Sequence, residues 1–263
     1  MLSSKRNFLK PSNELDAFII AMVAVSILFG LMWAIFTYGL GNPAHRIYIL
    51  LGGTWPSGII QFVTFLAFFW CMIMLGAKQR KIKWEFQALE LKVLPEDEHK
   101  VLLPDHINKL RLTLLENNDW VNSIYFKTLS RACIKFRANK SPQETLDVVK
   151  VQADLELVYQ DSSYGIIRYL AWAIRSIGFI GTVFGISGAL ANAADAVAGD
   201  ISGITSMLGT AFDTTLVSLF LSVILMFQLH RVQQREEFLI LNIQDYIIAN
   251  FVNRIYVPKK ERQ

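Results

Sequence analysis

Residues 57–83 read SGIIQFVTFLAFFWCMIMLGAKQRKIK, and this stretch decides the fold class. No Asp, Glu, Lys or Arg occurs between Ile47 and Ala77, and Lys and Arg then dominate residues 78–83. A second run without these residues extends from Ala17 to His45. Both runs exceed the roughly 20 residues that a helix needs to cross the hydrocarbon core of a bilayer. The sequence therefore predicts a polytopic membrane protein and excludes soluble enzyme folds.

The composition agrees with a membrane protein. Hydrophobic residues make up 53% of the chain and charged residues only 18%, whereas soluble domains carry about 25% charged residues. The net charge of +4 gives no indication of nucleic-acid binding. Neither an HExxH nor a CxxC motif accompanies the histidines, so we predict no metal site and no cofactor; the histidines are His45, His99, His106 and His230.

Two further apolar stretches, Ser176–Ala194 and Ile201–Leu229, complete a four-span prediction, with Asp213 as the one charge inside the last stretch. In this arrangement nearly all flanking cations fall on one side of the membrane: Lys5, Arg6, Lys10, the cations of 78–83, Arg168, Arg175, Arg231 and Arg235. The positive-inside rule then places both termini and residues 77–163 in the cytoplasm. A three-span alternative would scatter these charges over both faces.

The predicted fold class is an all-α membrane protein with four transmembrane helices, a helical cytoplasmic domain, and third and fourth helices that extend into the cytoplasm. Asn13 is the expected N-cap of the first span, which runs to about Gly39, and Ser141 opens a capping box. One unbroken helix is expected from there into the third span, and Pro258 is expected to end the last helix. The predicted segments are a cytoplasmic N-terminus (1–16), two transmembrane helices (17–76), a helical cytoplasmic domain (77–163), two channel-type transmembrane helices (164–229) and a cytoplasmic C-terminal helix (230–263). The apolar core of the cytoplasmic part is predicted to include Leu91, Val101, Leu110, Leu114, Ile124, Leu129 and Ile134.

The third span carries a glycine stripe. It reads IGFIGTVFGISGAL over residues 177–190, and its glycines recur at steps of three and four residues: Gly178, Gly181, Gly185 and Gly188. Such a face lets the backbones of membrane helices approach closely. Helix packing alone would explain the glycines, and Thr182 lies beside them.

The fourth span carries small and hydroxylated residues on one helical stripe: Ala211, Thr215, Ser218 and Ser222, with Thr214 next to them. Facing hydroxyls can hold water or a carboxylate without bearing a charge, since a hydroxyl both donates and accepts hydrogen bonds. The alternative is that each hydroxyl bonds to a carbonyl of its own helix. The stripe alone favours neither interpretation.

Together, these two stretches resemble the MotA/TolQ/ExbB proton-channel family. Residues 177–186, IGFIGTVFGI, are similar to the signature of its third helix, and residues 211–219, AFDTTLVSL, to the companion motif on its last helix. The motif region covers about 175–230, and elsewhere the resemblance is architectural. Four spans with a large second cytoplasmic loop are closer to the flagellar stator arrangement than to the three-span TolQ and ExbB type.

The resemblance implies a non-enzymatic, ring-forming subunit of an ion-driven motor in a bacterial inner membrane. It further implies a homopentamer around two copies of a single-span partner, whose membrane aspartate handles the transported H⁺ or Na⁺. By motif matching, Thr182 and Thr215 are the ion-path threonines, with Thr214 and Ser218 expected to line the same path. The sequence departs from the TolQ and ExbB type at Thr210, where those members have glutamate, and at Asp213, where they are apolar.

Asp213 has two interpretations. A carboxyl inside a span is costly and is by default a functional candidate, so a part in the ion path is one of them. The other is a structural hydrogen bond to a neighbouring helix or subunit. For the whole protein, the alternative to a motor subunit is a membrane scaffold whose glycine-rich helix only mediates assembly. The third and fourth spans are predicted to face the ring centre, and the first two to face lipid.

Overall fold

The computed structural model describes residues 14–38, 48–53, 57–97, 101–116, 120–197 and 199–256. Within these ranges the chain is helical, and a single β-bridge between Leu102 and Ile255 is the one pairing of extended segments. The helices are α1 (Glu14–Tyr38), α2 (Ser57–Glu90), α3 (Pro104–Glu116), α4 (Ile124–Asn139), α5 (Pro142–Ser163), α6 (Gly165–Ala191), α7 (Ala193–Val197) and α8 (Ser202–Asn250), followed by a 3₁₀ turn at Val252–Arg254. The predicted N-cap Asn13, the loop from Gly39 and the stop at Pro258 lie outside the described residues.

Three helical stretches are long and apolar enough to cross a membrane: Ser57–Glu90, Pro142–Ala191 and Ser202–Arg254. The apolar part of α1, Leu15–Leu31, is shorter than the other three. The all-helical prediction is therefore confirmed for the described part of the chain together with three candidate spans, and a fourth span at α1 stays a prediction.

The chain divides into two compact units. One consists of Met1–Lys78 and Gly165–Arg231, and we call it the membrane unit. The other consists of Gln79–Tyr164 and Val232–Gln263, and we call it the polar unit. The cytoplasmic position that the sequence predicts for the polar unit stays a prediction.

In the membrane unit, aromatic contacts join α1 to α2. The ring centroids of Phe18 and Trp70 lie 5.0 Å apart, and those of Phe29 and Phe62 lie 5.4 Å apart, both edge to face. Edge-to-face contacts of this length are favourable because the positive ring edge meets the negative ring face. The same unit pairs α6 with the first half of α8, as described below.

The polar unit is a helical assembly in which α4 packs against α3 and α5. Its buried side chains include many large apolar ones: Ile107, Leu114, Tyr125, Phe126, Leu129, Phe136, Val149, Leu239, Ile243, Ile247 and Phe251. Ser141 caps α5 by accepting a hydrogen bond from the Glu144 backbone N–H at 3.3 Å, as the capping box predicts. The Glu144 carboxylate, however, pairs with Lys135 at 2.7 Å and does not return to the cap.

One expectation for this region is refined and another was wrong. The helix predicted to run from residue 141 into the third span is found as one helical stretch, Pro142–Ala191, with a single turn residue at Tyr164. There the Ser163 hydroxyl donates to the Gln160 carbonyl at 2.6 Å, and the Tyr164 N–H bonds to Asp161. A serine that takes a backbone acceptor in this way competes with the helical ladder.

The predicted core was wrong in part. Leu114, Ile124 and Leu129 are buried as predicted, but Leu91, Val101 and Ile134 are exposed. Periodicity identifies residues that share a helix face, but it does not say what covers that face. Leu91 and Val101 also lie beyond the end of α2 and outside any helix, so helical periodicity carries no information about their burial.

Candidate functional site

The glycine stripe of α6 lies directly against α8. A Cβ atom added at Gly178 would come within 2.6 Å of the Ser218 Cβ, and one added at Gly181 within 2.7 Å of the Thr214 Cβ. Ordinary contacts between carbon atoms are about 3.5–4.0 Å long. These positions therefore accept only glycine unless the two helices move apart.

The C-terminal half of the stripe is equally close. A Cβ at Gly185 would come within 2.6 Å of the Met207 carbonyl oxygen and 2.7 Å of the Ala211 Cβ. One at Gly188 would come within 2.9 Å of the Met207 sulfur. Since successive glycines toward the end of α6 meet successively earlier residues of α8, the two helices are antiparallel and in close contact along their apolar length.

Thr182 and Thr215 meet at the centre of this contact. Their hydroxyl oxygens form a short hydrogen bond with one another. The Thr215 hydroxyl also lies 3.1 Å from the carbonyl oxygens of both Gly178 and Ala211, and the Thr182 hydroxyl lies 3.4 and 3.3 Å from the same two oxygens. The cluster therefore consists of two hydroxyls and two carbonyls, one of each from each helix, and both threonine side chains are half-buried.

The chemistry of this cluster is that of a small oxygen-rich site. It has four acceptor oxygens and only two hydroxyl protons, because backbone carbonyls accept and never donate. Hard cations bind to carbonyl, hydroxyl and water oxygens, and a water molecule that carries a proton is stabilised by the same acceptors. The absence of any Gly178 side chain lets the carbonyl of that residue reach the opposite helix.

Thr214 and Ser218 lie on the same helix interface but are used differently. The Thr214 hydroxyl donates to backbone carbonyls of its own helix, 3.0 Å from Thr210 and 3.2 Å from Ala211. The Ser218 hydroxyl donates to the Thr215 carbonyl at 3.0 Å. Both side chains are buried against glycines of α6. The hydroxyls of Thr214 and Ser218 thus bond to carbonyls of their own helix, whereas those of Thr182 and Thr215 also bond to a carbonyl of the opposite helix. An ion-path role for Thr214 and Ser218 stays a prediction.

Asp213 is buried, with 3% of its surface exposed. It lies about 200° around α8 from Thr215, since each helical residue advances 100°. The structure therefore separates this carboxyl from the Thr182–Thr215 cluster, and its two interpretations remain open.

The sequence analysis missed Gln61, a buried amide near the start of α2. Both polar atoms of its carboxamide lack a hydrogen-bond partner in the described structure. The signal was available, because Gln61 is the one amide in the charge-free run of residues 57–77. Among the described residues, no group of three or more His, Cys, Asp and Glu side chains could hold a metal ion.

Comparison with known proteins gives one match. The model of the MotA/TolQ/ExbB proton channel family matches residues 116–245, a range that includes α4, α5, α6 and the threonine cluster. This match confirms the resemblance drawn from residues 177–186 and 211–219. No curated protein and no solved structure matches the chain.

Proposed function

We propose, from the premise that residues 116–245 belong to the MotA/TolQ/ExbB proton channel family, that this chain is the ring-forming subunit of an ion-driven motor. In this proposal H⁺ or Na⁺ moves past a carboxylate of a single-span partner, and the movement is coupled to mechanical work. The subunit acts without a cofactor and is not an enzyme. Its site of action is the bacterial inner membrane, with both termini in the cytoplasm.

The observation that carries the proposal is the Thr182–Thr215 cluster. Two hydroxyls from different helices share the same pair of backbone carbonyls, and both side chains keep part of their surface exposed. A partly exposed hydroxyl inside an apolar helix pair is suited to contact a polar group outside the chain. We assign that group to the partner's aspartate, together with the water or ion that it exchanges.

Exposed apolar side chains on α6 and α8 support the proposal of a ring. The outward faces of α6 and α8 are apolar, with Phe179, Val183, Phe212 and Phe220 all exposed in the single chain. Covering by lipid and by further copies of the chain would remove these side chains from water. The pentameric state and the central pair of partner helices come from the family and are part of the proposal.

The test measures ion flux into proteoliposomes that contain the chain co-expressed with its single-span partner. Thr215→Val keeps the side-chain shape and removes the hydroxyl, and Thr182→Val does the same across the interface. Losing a buried hydrogen bond costs about 1–3 kcal/mol, so a loss in the rate-limiting state would slow flux roughly tenfold or more. A pH-sensitive dye reports H⁺ flux, and a Na⁺ gradient applied at constant pH tests the other ion.

The matched control is Ser206→Ala, because Ser206 is exposed near the start of α8 and lies outside the cluster. Ring assembly is checked on the same samples by size-exclusion chromatography. Wild-type flux from an intact Thr182→Val/Thr215→Val double variant would contradict the hydroxyl path.

A scaffold function is the second candidate, and the glycine contacts favour it. Gly178, Gly181 and Gly185 hold α6 against α8 so closely that assembly alone would explain them. A scaffold requires no partner with a membrane aspartate and conducts no ions. Failure of the chain to co-purify with any single-span protein, together with zero flux, would favour the scaffold.

A further inference from the structure

The polar unit leaves an apolar stripe of α5 uncovered. Its members are between 44% and 66% exposed, and each of the others lies three or four residues from Leu155: Val151, Leu155, Val158 and Tyr159. This is the spacing of a single helix face. Single exposed apolar residues are ordinary on a protein surface, but a contiguous stripe marks a surface that another molecule covers.

A second apolar stripe lies on the part of α8 that belongs to the polar unit. Phe238 is 59% exposed, and Leu241, three residues later, is 46% exposed. Arg235, three residues before Phe238, is also exposed. These three residues share one side of α8. Glu236 and Ile240 lie on the opposite side and are buried.

The two stripes point away from each other within one copy. α5 and α8 contact through their inner sides, where Gln160 Nε2 donates to the Gln233 carbonyl at 3.0 Å and Glu236 accepts from the tyrosine hydroxyl that follows α5 at 2.7 Å. Val158 lies about 200° around α5 from Gln160, and Phe238 lies about 200° around α8 from Glu236. Neither stripe can therefore cover the other in the same copy.

The two helices run antiparallel. The carboxyl-terminal part of α5 bonds to Gln233, yet α5 also contacts the 3₁₀ turn at Val252–Arg254. That turn begins about 28 Å further along the chain from Gln233, at a rise of 1.5 Å per helical residue. Only the amino-terminal part of α5 is far enough from Gln160 to reach it. Going back along α5 from Gln160 therefore matches going forward along α8 from Gln233.

Heights along the two helices then match residue by residue. Leu155 precedes Gln160 by five residues and Phe238 follows Gln233 by five, so Leu155 and Phe238 lie at one height. Two more pairs from the stripes agree in height to within one residue, or about 1.5 Å: Tyr159 with Arg235, and Val151 with Leu241. In a ring whose axis runs along these helices, rotation preserves height, so the same matches hold between neighbouring copies.

We propose that the α5 stripe of one copy packs against the α8 stripe of the next copy. The inference rests on the ring proposed above and names a surface that closes it. Leu155 and Phe238 form the apolar centre of the contact, and Tyr159 offers its ring face to the Arg235 guanidinium, which makes a favourable cation–π pair. Because two different surfaces of the same chain meet, the contact is head to tail, the type that closes into a ring.

The charges beside the α5 stripe argue against a lipid surface as the occupant. Asp147, Asp154 and Asp161 are exposed and recur at steps of seven residues along one edge of the stripe. The cytoplasmic leaflet carries negative lipid headgroups, which repel such a column of carboxylates. A neighbouring copy presents instead an apolar stripe and the Arg235 cation at matched heights.

The test is cysteine crosslinking of the full-length chain in the membranes of the cells that express it. The two native cysteines are buried and stay in place. In the Leu155→Cys/Phe238→Cys double variant, mild oxidation should join each copy to the next and give a ladder of covalent oligomers. Either single variant alone should give no ladder, because a head-to-tail contact brings residue 155 to residue 238 and never to another residue 155. Co-expression of the two single variants with different tags should give mixed dimers only.

Lys150→Cys/Phe238→Cys is the matched control. Lys150 is exposed on α5 but lies about 140° around the helix from Leu155, so this variant should give no ladder. Arg235→Gln, added to the Leu155→Cys/Phe238→Cys variant, removes the cation and keeps much of the side-chain length. It should slow disulfide formation about two- to fivefold, the usual effect of losing an exposed cation–π pair, and an unchanged rate overturns the contact between Tyr159 and Arg235.

The mass of the oligomer in lipid nanodiscs separates this inference from the proposed function. A monomeric wild type overturns both. An intact ring that gives no ladder in Leu155→Cys/Phe238→Cys overturns the α5–α8 contact and leaves the ring. A ladder from Leu155→Cys alone, or an equal ladder from the Lys150→Cys control, also overturns the contact, because it would indicate a like-to-like surface or random collision. If the double variant does not fold, the co-expressed single variants decide the question.

Discussion

Gly185→Ala tests the close contact of α6 and α8 most directly. The new methyl group would lie 2.6 Å from the Met207 carbonyl oxygen and 2.7 Å from both the Cβ and the backbone nitrogen of Ala211. Two of these three atoms belong to the backbone of α8, so no side-chain rotation can relieve the contact. Restoring a carbon–carbon distance of about 3.5 Å requires a local separation of the helices by roughly 1 Å.

The expected cost follows from this displacement. Overpacking of a well-packed contact destabilises proteins by about 1–3 kcal/mol. Replacing a glycine inside a helix by alanine by itself stabilises the folded state by about 0.5–1 kcal/mol. Gly209→Ala in α8 is the matched control, because no atom lies within 4 Å of a Cβ at that position. With about 2–4 °C of melting temperature per kcal/mol in a chain of this size, Gly185→Ala should melt roughly 3–10 °C below Gly209→Ala.

The measurement is thermal unfolding of the solubilised protein, followed by tryptophan fluorescence and by loss of the size-exclusion peak. Separation of the helices would also lengthen the hydrogen bonds between Thr182 and Thr215, so flux should fall in Gly185→Ala and not in Gly209→Ala. Equal melting temperatures for the two variants would refute the packing argument, because it would mean that α6 and α8 are not in contact at this level.

Three further predictions concern the polar unit. Glu85 lies on α2 beyond the cations that follow its apolar part. Burial raises the pKa of this residue from 4.5 to about 7, and its carboxylate accepts a hydrogen bond from the Ile124 N–H at 2.9 Å. The folded state therefore binds an extra proton between these values, so the stability from this group is present at low pH and is lost as pH rises from 4.5 to about 7. Glu85→Gln should flatten the pH dependence of the melting temperature over this window, and parallel curves for the two proteins would contradict the assignment. Tyr164→Phe removes the hydroxyl that donates to Glu236 at 2.7 Å and should lower the free energy of unfolding by about 1–3 kcal/mol. Chemical denaturation measures this loss, with Tyr169→Phe at an exposed position as the control. Equal losses in the two variants would contradict a contribution from this hydrogen bond. Arg254→Lys should expose residues 94–97 to hydrogen exchange, because a single ammonium cannot replace the guanidinium that donates to the Pro95, Glu96 and Asp97 carbonyls; unchanged protection there would mean that the loop is held by other contacts.

Part of the site could be predicted because it depends on residue types at fixed helical spacing. The glycine stripe and the hydroxyl stripe each follow from the period of 3.6 residues. The family resemblance then paired the two stripes as motifs of neighbouring helices. The threonine pair then followed from matching the two motifs to those of the family. The sequence could not decide whether those hydroxyls bond within their own helix or across it, since that depends on the helix separation, and the structure places Thr182 and Thr215 so close that both occur.

Other features could not be predicted because they arise from contacts between residues that are distant in the sequence. The buried Glu85 lies on a stretch rich in cations, where an exposed carboxylate is the ordinary expectation. Arg254 follows a helix end, and nothing in its neighbourhood predicts that its guanidinium binds a loop more than 150 residues earlier. The turn residue Tyr164, whose N–H bonds to the Asp161 carbonyl, adjoins a Ser163 hydroxyl that donates to Gln160, but serine makes this bond at many helical positions without interrupting the helix, so it gives no usable signal.

The two buried faces of α8 together explain why a membrane helix can carry so many polar residues. Met207, Ala211 and Thr214 lie against the glycines of α6, and the backbone supplies acceptors for the hydroxyls there. Thr210 and Asp213 lie on the other buried face. The helix is therefore polar on two buried sides, while Phe212, Leu216 and Phe220 are exposed on its remaining side.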